Sequence, residues 1–193
     1  MARYAAAGLR SGRTKVLSSL AEHRRRNPPV SLWLALFVSL GLGAAPPVQA
    51  REVVRFPTSM QPGSIVVRTG ERRLYLVRDD GTALRYPVAV GRPDRQWFGE
   101  SVVLRKHVRP AWAPPEGVRR DHPTLPAVVP AGAPNNPLGE RALTLPNQYA
   151  IHGTNRPASI NTFASYGCIR MFNEDVIHLF DRVEVGARVV VER

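Results

Sequence analysis

The sequence is short of cysteine and of acidic residues: it has one cysteine, Cys168, and 15 aspartates and glutamates against 27 lysines and arginines. A single cysteine excludes an internal disulfide framework. The shortage of acids gives a formal net charge of +12, which ordinarily favours a nucleic-acid partner. The 193 residues, 44% hydrophobic and 22% charged, contain no internal repeat, low-complexity tract or second domain, and predict one globular domain.

The excess of basic residues is concentrated near the N-terminus. Residues 1–29 carry seven lysines and arginines against a single acid, Glu22. Without residues 1–50 the chain keeps 20 basic and 14 acidic residues, a net charge of +6, and no basic run longer than two. The sequence therefore predicts no nucleic-acid partner. The remaining charge predicts a solvated basic surface, which is compatible with an anionic cell-wall polymer.

The basic N-terminus is followed by a run without ionisable groups, Val30 to Ala45, and then by the small-residue pattern Val48-Gln49-Ala50. This order predicts a secretory signal peptide over residues 1–50, cleaved after Ala50. The alternative is an uncleaved anchor, although 16 apolar residues fall short of the roughly 20 that span a bilayer. We expect an exported protein of the periplasm or cell wall, without a stable membrane span after cleavage.

Beyond the signal, the sequence predicts a short linker over residues 51–63 and a single domain over residues 64–193. Export bears on the lone cysteine, because oxidising compartments favour paired structural cysteines. Cys168 is therefore either a tolerated small hydrophobic residue or a reactive group.

Short runs of β-branched and aromatic residues predict strands at 64–68, 73–77, 84–90, 101–108 and 188–191. Asp79-Asp80-Gly81 predicts a turn between the second and third strands. The second strand carries large apolar side chains on both faces, so it is expected to be covered on both sides. This pattern favours a sandwich or barrel over an open sheet.

Residues 110–140 are dense in proline and glycine, which predicts a long irregular loop without regular helix or central strand. Such a loop is either an active-site cover or a plain insertion. One helix is predicted to begin near Asn173, which we expect to be its N-cap. Its apolar stripe is expected to comprise Val176, Leu179, Phe180 and Val183.

The segment from Tyr149 to Asn173 combines the cysteine with a histidine, His152, that ends a predicted strand 16 residues earlier. A thiol paired with an imidazole is a nucleophile with its base, and its pKa is expected to be low. Gly167 permits close approach of backbone N–H groups to a substrate carbonyl, and Arg170 is suited to bind a carboxylate. The alternative is a buried cysteine beside a structural histidine.

The motif His152-Gly153-Thr154, followed by Ser165-Tyr166-Gly167-Cys168-Ile169-Arg170-Met171, resembles the signature of the L,D-transpeptidase catalytic domain family of the YkuD-like type. Blocks at 72–93, 110–117, 136–143 and 173–191 resemble successive parts of that domain, so the resemblance covers residues 64–192. It implies a mostly-β fold, a sandwich of mixed sheets with one or two short helices.

The resemblance also implies an activity on peptidoglycan. Cys168 would attack the carbonyl of the third residue of a tetrapeptide stem, expel the terminal D-Ala and form a thioester. An amine of a second stem, a lipoprotein or a D-amino acid would then resolve the thioester, and a second stem gives a 3→3 cross-link. His152 would transfer protons while the Gly153 carbonyl orients its ring. The resemblance implies no metal and no organic cofactor.

The resemblance further assigns the oxyanion hole to the N–H groups of Gly167 and Cys168, and positioning of the stem to Arg170. Additional substrate-binding candidates are Ser165, Tyr166, Trp112 and Thr154. For Ser165 a turn cap, and for Trp112 ordinary loop packing, are the alternative interpretations. The other histidines, His107, His122 and His178, have no metal-ligand spacing and are interpreted as structural or surface residues.

The sequence departs from the family pattern at Tyr166, where His is common, at Asn161, where Gly is common, and at Trp97-Phe98-Gly99, where Thr-Pro-x-Gly is usual. Because tyrosine is no base near neutral pH, His152 is the only motif histidine left for proton transfer. Two alternative functions stay open. One is an L,D-carboxypeptidase that hydrolyses the thioester, and the other is a non-catalytic wall-binding module.

Overall fold

A computed structural model describes residues 51–193, and the predicted signal segment lies outside the described residues. Within this range the chain forms two helices, α1 (Glu116–Asp121) and α2 (Asn173–Phe180). It also forms twelve strands: β1 (Glu52–Arg55), β2 (Ile65–Arg68), β3 (Arg73–Val77), β4 (Thr82–Pro87), β5 (Val90–Gly91), β6 (Gly99–Val102), β7 (Arg105–Val108), β8 (Arg141–Thr144), β9 (Ala150–His152), β10 (Phe163–Ser165), β11 (Ile169–Arg170) and β12 (Arg188–Glu192).

The largest sheet has six strands in the order β1-β4-β3-β2-β12-β6. β3 covers the predicted residues 73–77, and it is buried on both faces from Leu74 to Val77. The predicted terminal strand is β12, which runs parallel to β2 and antiparallel to β6. The last strand of the chain therefore lies inside the sheet rather than at its edge.

The predicted linker over residues 51–63 contributes a strand to this sheet. β1 pairs antiparallel with β4, and Glu52 lies opposite Arg85. The Arg85 guanidinium and the Glu52 carboxylate form an ion pair across the two strands. The interpretation of this segment as a linker is corrected, because its first residues complete one edge of the sheet.

The second sheet has four strands in the order β11-β9-β8-β7, and a two-stranded sheet joins β10 to β5. The predicted strand over residues 101–108 is divided between the two larger sheets. The Val103 N–H bonds the Ala187 carbonyl at 3.0 Å, whereas the next N–H, of Leu104, bonds the Thr144 carbonyl at 2.8 Å. Consecutive residues thus face different sheets, which ends β6 and begins β7.

One hydrophobic cluster is built from residues of both larger sheets and from α2. It contains Leu74 of β3, Leu143 of β8, Ile151 of β9 and Leu179 of α2, all fully buried. The prediction of a mostly-β fold of mixed sheets with one or two short helices is confirmed. No helix within residues 51–193 is long and apolar enough to cross a membrane.

The proline-rich segment over residues 110–140 contains α1, so the prediction that it excludes regular helix was wrong. α1 occupies the proline-free interval after Pro115, which precedes the first helical residue and tolerates the missing N–H. At the base of the segment the main chains of Trp112 and Val129 exchange two hydrogen bonds of 2.8 and 2.9 Å. The segment is therefore closed on itself before it reaches β8.

α2 packs its predicted apolar face into the core, but it does not use the predicted cap. Asn173 is the first helical residue, Phe172 occupies the cap position, and no side chain caps the helix. Val176 and Leu179 are buried as expected, and Val183 is buried beyond the end of the helix. The Asn173 side chain is turned instead toward the loop that follows β9.

Candidate active site

Two short parallel strands bring the predicted nucleophile and base together. In the register of β9 and β11, Ile151 lies opposite Ile169 and His152 opposite Arg170. His152 is the last residue of β9, and Cys168 immediately precedes β11. Residues that are opposite in a parallel pair, or two apart on one strand, point to the same face. His152, Arg170 and Cys168 therefore share one face of the strand pair, with Cys168 level with the start of β9 and His152 at its end.

His152 is buried, with 4% of its surface exposed, and its Nδ1 lies 2.6 Å from the carbonyl oxygen of Gly153. A carbonyl only accepts, so Nδ1 carries the proton and Nε2 keeps its lone pair. Burial, and after it the Arg170 cation, lower the pKa of His152 to about 4, although the carbonyls of Gly153 and Pro137 act in the opposite direction. The imidazole is neutral near pH 7.

Cys168 is partly exposed as a residue, yet burial of its thiol raises the pKa. The backbone amide of Ala150 and the cation of Arg170 oppose this effect. The expectation of a low thiol pKa is therefore corrected. Near pH 7 both groups are therefore neutral, and a thiolate at Cys168 requires that its proton be transferred elsewhere.

The loop after β9 is held by the side chain of Asn173. Its Oδ1 accepts hydrogen bonds from the N–H groups of Glu140 at 3.1 Å and Thr154 at 3.2 Å, and its Nδ2 donates to the Thr154 carbonyl at 3.1 Å. A side chain at Gly153 would collide with Asn173 Oδ1. A larger residue at position 153 would therefore displace the Asn173 amide from its hydrogen bonds.

The turn before Cys168 is closed by Ser165, which is 1% exposed. Its Oγ accepts a hydrogen bond from the Gly167 N–H at 3.0 Å and donates to the Cys168 carbonyl at 2.5 Å. The interpretation of Ser165 as a turn cap is confirmed. The Gly167 N–H, which was predicted as an oxyanion donor, is thus bonded to Ser165 in this structure.

Two aromatic residues that sequence reasoning did not select contact the same turn. Trp97 donates from Nε1 to the Gly167 carbonyl at 2.9 Å, and its ring stacks on Tyr149 with centroids 4.8 Å apart. Gly167 has a φ of +113°, and a Cβ there would lie 2.5 Å from the Tyr149 ring. The departure from the family pattern at Trp97 was a signal for this contact, but nothing in the sequence indicated its partner.

The Tyr166 side chain contacts α1. Its hydroxyl donates to the Asp121 carboxylate at 2.7 Å, and the Arg92 guanidinium lies 4.2 Å from the centre of its ring. The hydrogen bond to Asp121 raises the pKa of Tyr166 and lowers the pKa of the Asp121 carboxyl. Tyr166 thus connects the cysteine turn to the proline-rich segment.

The remaining predicted residues occupy different places. The Thr154 hydroxyl accepts the Arg156 N–H at 3.0 Å, inside the loop after β9. Burial lowers the pKa of Arg170, and Trp112 forms the bridge to Val129. His178 Nδ1 lies 2.9 Å from the Tyr86 hydroxyl, as expected for a structural histidine. Within residues 51–193, no group of three histidine, cysteine or acidic residues is placed to hold a metal ion.

Comparison with known proteins finds relatives of this chain among L,D-transpeptidases. The family model YkuD, described as the L,D-transpeptidase catalytic domain, matches residues 62–191. The probable L,D-transpeptidase ErfK/SrfK of Escherichia coli is 40% identical over 144 residues, which are 70% of this chain and 45% of that protein. The putative L,D-transpeptidase YkuD of Bacillus subtilis is 34% identical over 134 residues, 68% of this chain and 67% of that protein.

The chain spans about half the length of the E. coli relatives, since the probable L,D-transpeptidase YbiS, 39% identical over 140 residues, is also covered to 45%. Among solved structures, an L,D-transpeptidase from Mycobacterium smegmatis superposes with a TM-score of 0.52 at 18% identity, covering 67% of this chain and 58% of that one. L,D-transpeptidase 3 from Mycobacterium tuberculosis gives 0.52 at 16% identity, covering 67% and 60%. These likenesses concern the fold.

Proposed function

The chain belongs to the YkuD family of L,D-transpeptidase catalytic domains, and from this membership we propose that its domain transfers acyl groups between peptidoglycan stem peptides, with Cys168 as the nucleophile. The observation that carries the proposal is that His152 and Cys168 lie on one face of two adjacent parallel strands, with Nδ1 of His152 bonded to Gly153 and Nε2 left to accept a proton.

In the first half-reaction the Cys168 thiol gives its proton to Nε2 of His152, and the thiolate attacks the carbonyl of the third stem residue. The tetrahedral intermediate collapses as the bond to D-Ala breaks. The leaving amine takes the proton from the imidazolium, which restores neutral His152 and leaves a thioester on Cys168. No other proton donor is required.

In the second half-reaction an acceptor amine attacks the thioester. His152 removes a proton from the attacking amine, and the expelled Cys168 thiolate takes that proton back. Three amines are suited to this step: the side-chain amine of a second stem, a lysine of a lipoprotein and a free D-amino acid. The second stem gives a 3→3 cross-link, and the free enzyme is regenerated in each case.

Electrostatics of the site support proton transfer on demand rather than a resting ion pair. A base with a pKa of about 4 remains unprotonated at neutral pH and so is always ready to accept. Arg170 lies near both groups, and its cation favours the thiolate of Cys168. Because burial opposes charge on both partners, the ion pair forms only during attack, when the substrate carbonyl consumes the thiolate.

Arg170 is proposed to bind a carboxylate of the stem, since its guanidinium shares the face of Cys168 and His152. The Cys168 N–H is proposed as the oxyanion donor. Tyr166, Thr154, Trp112 and Ser165 are proposed to shape the substrate site indirectly, through the turn and loop contacts described above. Residues 1–50 are proposed as the export signal, which places the activity in the periplasm or cell wall.

The experiment that tests the function is incubation of the purified protein with a disaccharide-tetrapeptide, with products identified by mass spectrometry. A 3→3 dimer that disappears in both Cys168→Ala and His152→Ala supports the transpeptidase. Free tripeptide without dimer identifies hydrolysis of the thioester instead. A wild-type protein that gives neither product, with or without lipoprotein peptide and D-amino acids, contradicts the proposal and favours the wall-binding module.

A further inference from the structure

We propose that Trp97 is a positioning residue for acyl transfer, because its indole N–H fixes the orientation of the peptide that carries the oxyanion donor. The inference rests on the proposed function. Trp97 Nε1 donates to the Gly167 carbonyl at 2.9 Å. That carbonyl and the Cys168 N–H belong to one trans peptide, so they point in opposite directions. Holding the carbonyl toward the indole therefore turns the N–H away from it.

The Cys168 N–H is well placed for this role by covalent structure alone. It belongs to the residue that bears the thiol, so an acyl carbon bonded to Sγ brings its oxygen close to this N–H. Within residues 51–193 no hydrogen bond from the Cys168 N–H to another protein group is found. The neighbouring Gly167 N–H is bonded to Ser165 and is not available.

Ser165 and Trp97 divide the control of the turn between them. Ser165 bonds the N–H of Gly167 and the carbonyl of Cys168. These groups belong to the peptides before and after the Gly167–Cys168 peptide. The peptide between them is held through its carbonyl by Trp97. Since Gly167 has a φ of +113° and glycine is the least restricted residue, this middle peptide has the greatest freedom to rotate without the indole.

Trp97 is itself oriented by Tyr149, the residue that precedes the strand of His152. Its ring is stacked on Tyr149 at an interplanar angle of 11°, and Tyr149 immediately precedes β9, which ends at His152. The Tyr149 ring also lies against Gly167. Trp97 and Tyr149 together thus hold the peptide between Gly167 and Cys168 in place. Because Tyr149 directly precedes β9, the same aromatic pair lies next to both Cys168 and the strand that ends at His152.

Two reactions of the same thiol separate this role from simple packing. Acylation of Cys168 by p-nitrophenyl acetate passes through a tetrahedral oxyanion, whereas alkylation by iodoacetamide does not. The variant Trp97→Phe keeps a ring to stack on Tyr149 and removes the N–H. We expect its acylation rate constant to fall about tenfold or more, since loss of a whole oxyanion donor costs about 100-fold to 1,000-fold. Alkylation should stay within about twofold.

The matched control is Phe98→Leu, which changes the exposed neighbouring aromatic residue and should alter neither rate. Unchanged acylation in Trp97→Phe, or acylation and alkylation that fall in parallel, would overturn the inference. If Trp97→Phe is poorly folded, 3-benzothienylalanine at position 97 keeps the bicyclic ring, lacks only the N–H, and should give the same selective loss. Both reactions are independent of the natural substrate, so failure of the proposed stem-peptide activity is distinguished from failure of this inference.

Discussion

His152, the proposed base, and Arg170 are register partners on parallel strands, so the imidazole lies beside a permanent cation. The arrangement has opposite effects on the two reacting groups. The Arg170 cation lowers the pKa of His152 and also lowers the pKa of Cys168 against the effect of burial. It therefore favours a thiolate while it disfavours the imidazolium that forms with it.

Replacing Arg170 is expected to move the acid limb of the activity profile. In the wild type, acyl transfer should be lost below a pH of about 4, where His152 becomes protonated. In Arg170→Gln the cation is gone, so the pKa of His152 rises and the acid limb moves to higher pH. Acylation of Cys168 measured from pH 3.5 to 8 tests this, with Arg170→Lys, which keeps the charge, as control. An acid limb that stays in place contradicts the electrostatic role.

Two buried groups are expected to oppose each other in the dependence of stability on pH. His152 has its pKa lowered from 6.5 to about 4, so its contribution is present above pH 6.5 and is lost as pH falls toward 4. It amounts to on the order of 3 kcal/mol. Burial raises the pKa of Asp175 to about 6, so its contribution is present below its ordinary value of 3.8 and is lost as pH rises toward 6.

The free energy of unfolding in urea should consequently change little between pH 4 and 6 in the wild type. In Asp175→Asn it should rise with pH across this window, because only His152 titrates. In His152→Gln it should fall with pH. Parallel curves for the wild type and either variant would show that the two groups do not have these pKa values.

The hydrogen bonds of Asn173 are expected to stabilise the domain. Asn173→Ala removes three hydrogen bonds in the loop after β9 and should destabilise the protein by about 2 to 3 kcal/mol in urea unfolding. Asn173→Asp keeps the acceptor for the Glu140 and Thr154 N–H groups and should lose less. Equal stability of the alanine variant and the wild type would show that the Asn173 hydrogen bonds do not stabilise the loop.

Loss of the Tyr166 hydroxyl is expected to loosen α1 without unfolding the domain. Tyr166→Phe keeps the ring beneath Arg92 and removes the 2.7 Å bond to Asp121. Because this contact is near the surface, hydrogen exchange of α1 should accelerate by about threefold to tenfold while the thermal midpoint changes little. The amides of β3 serve as the internal control. Unchanged exchange in α1 would show that Tyr166 does not hold it.

A β-lactam of the carbapenem type is expected to acylate Cys168. Because burial raises the pKa of the Cys168 thiol, the adduct is expected to form by transfer of the thiol proton to His152 during attack. Intact-protein mass spectrometry should find one adduct per chain in the wild type and none in Cys168→Ala. An unmodified wild-type protein that remains folded counts against Cys168 as the nucleophile.

Much of this architecture follows from local pattern. β3 was predicted because residues 73–77 are a short run of β-branched and aromatic residues, and the pairing of Cys168 with His152 was predicted because a thiol and an imidazole are a characteristic nucleophile and base. α1 was missed because proline density averaged over residues 110–140 conceals a proline-free interval after Pro115. The residue pattern predicts a strand over residues 101–108, but it does not predict the break between Val103 and Leu104. That break arises because the two N–H groups bond to different sheets.

The supports of the site were beyond sequence reasoning for a different reason. Trp97 reaches Gly167 across 70 positions, and Asn173 reaches Glu140 across 33. Neither contact has a periodicity or a spacing rule, and Asn173 has an equally good local interpretation as a helix cap. The tertiary contacts prevail, because the Asn173 amide satisfies three backbone groups of Glu140 and Thr154 instead of one N–H of its own helix.

The position of β12 has a consequence for how the domain is made. Its five residues lie between β2 and β6, and Arg68 of β2 meets Glu192 across 124 positions of the chain. During synthesis β2 is present long before its neighbour β12, so β6 has no partner in this sheet until β12 has emerged. Contacts so distant in sequence form slowly. Without β12, this sheet would keep only its four strands β1, β4, β3 and β2, with an open edge at β2, and β6 would have no partner in it.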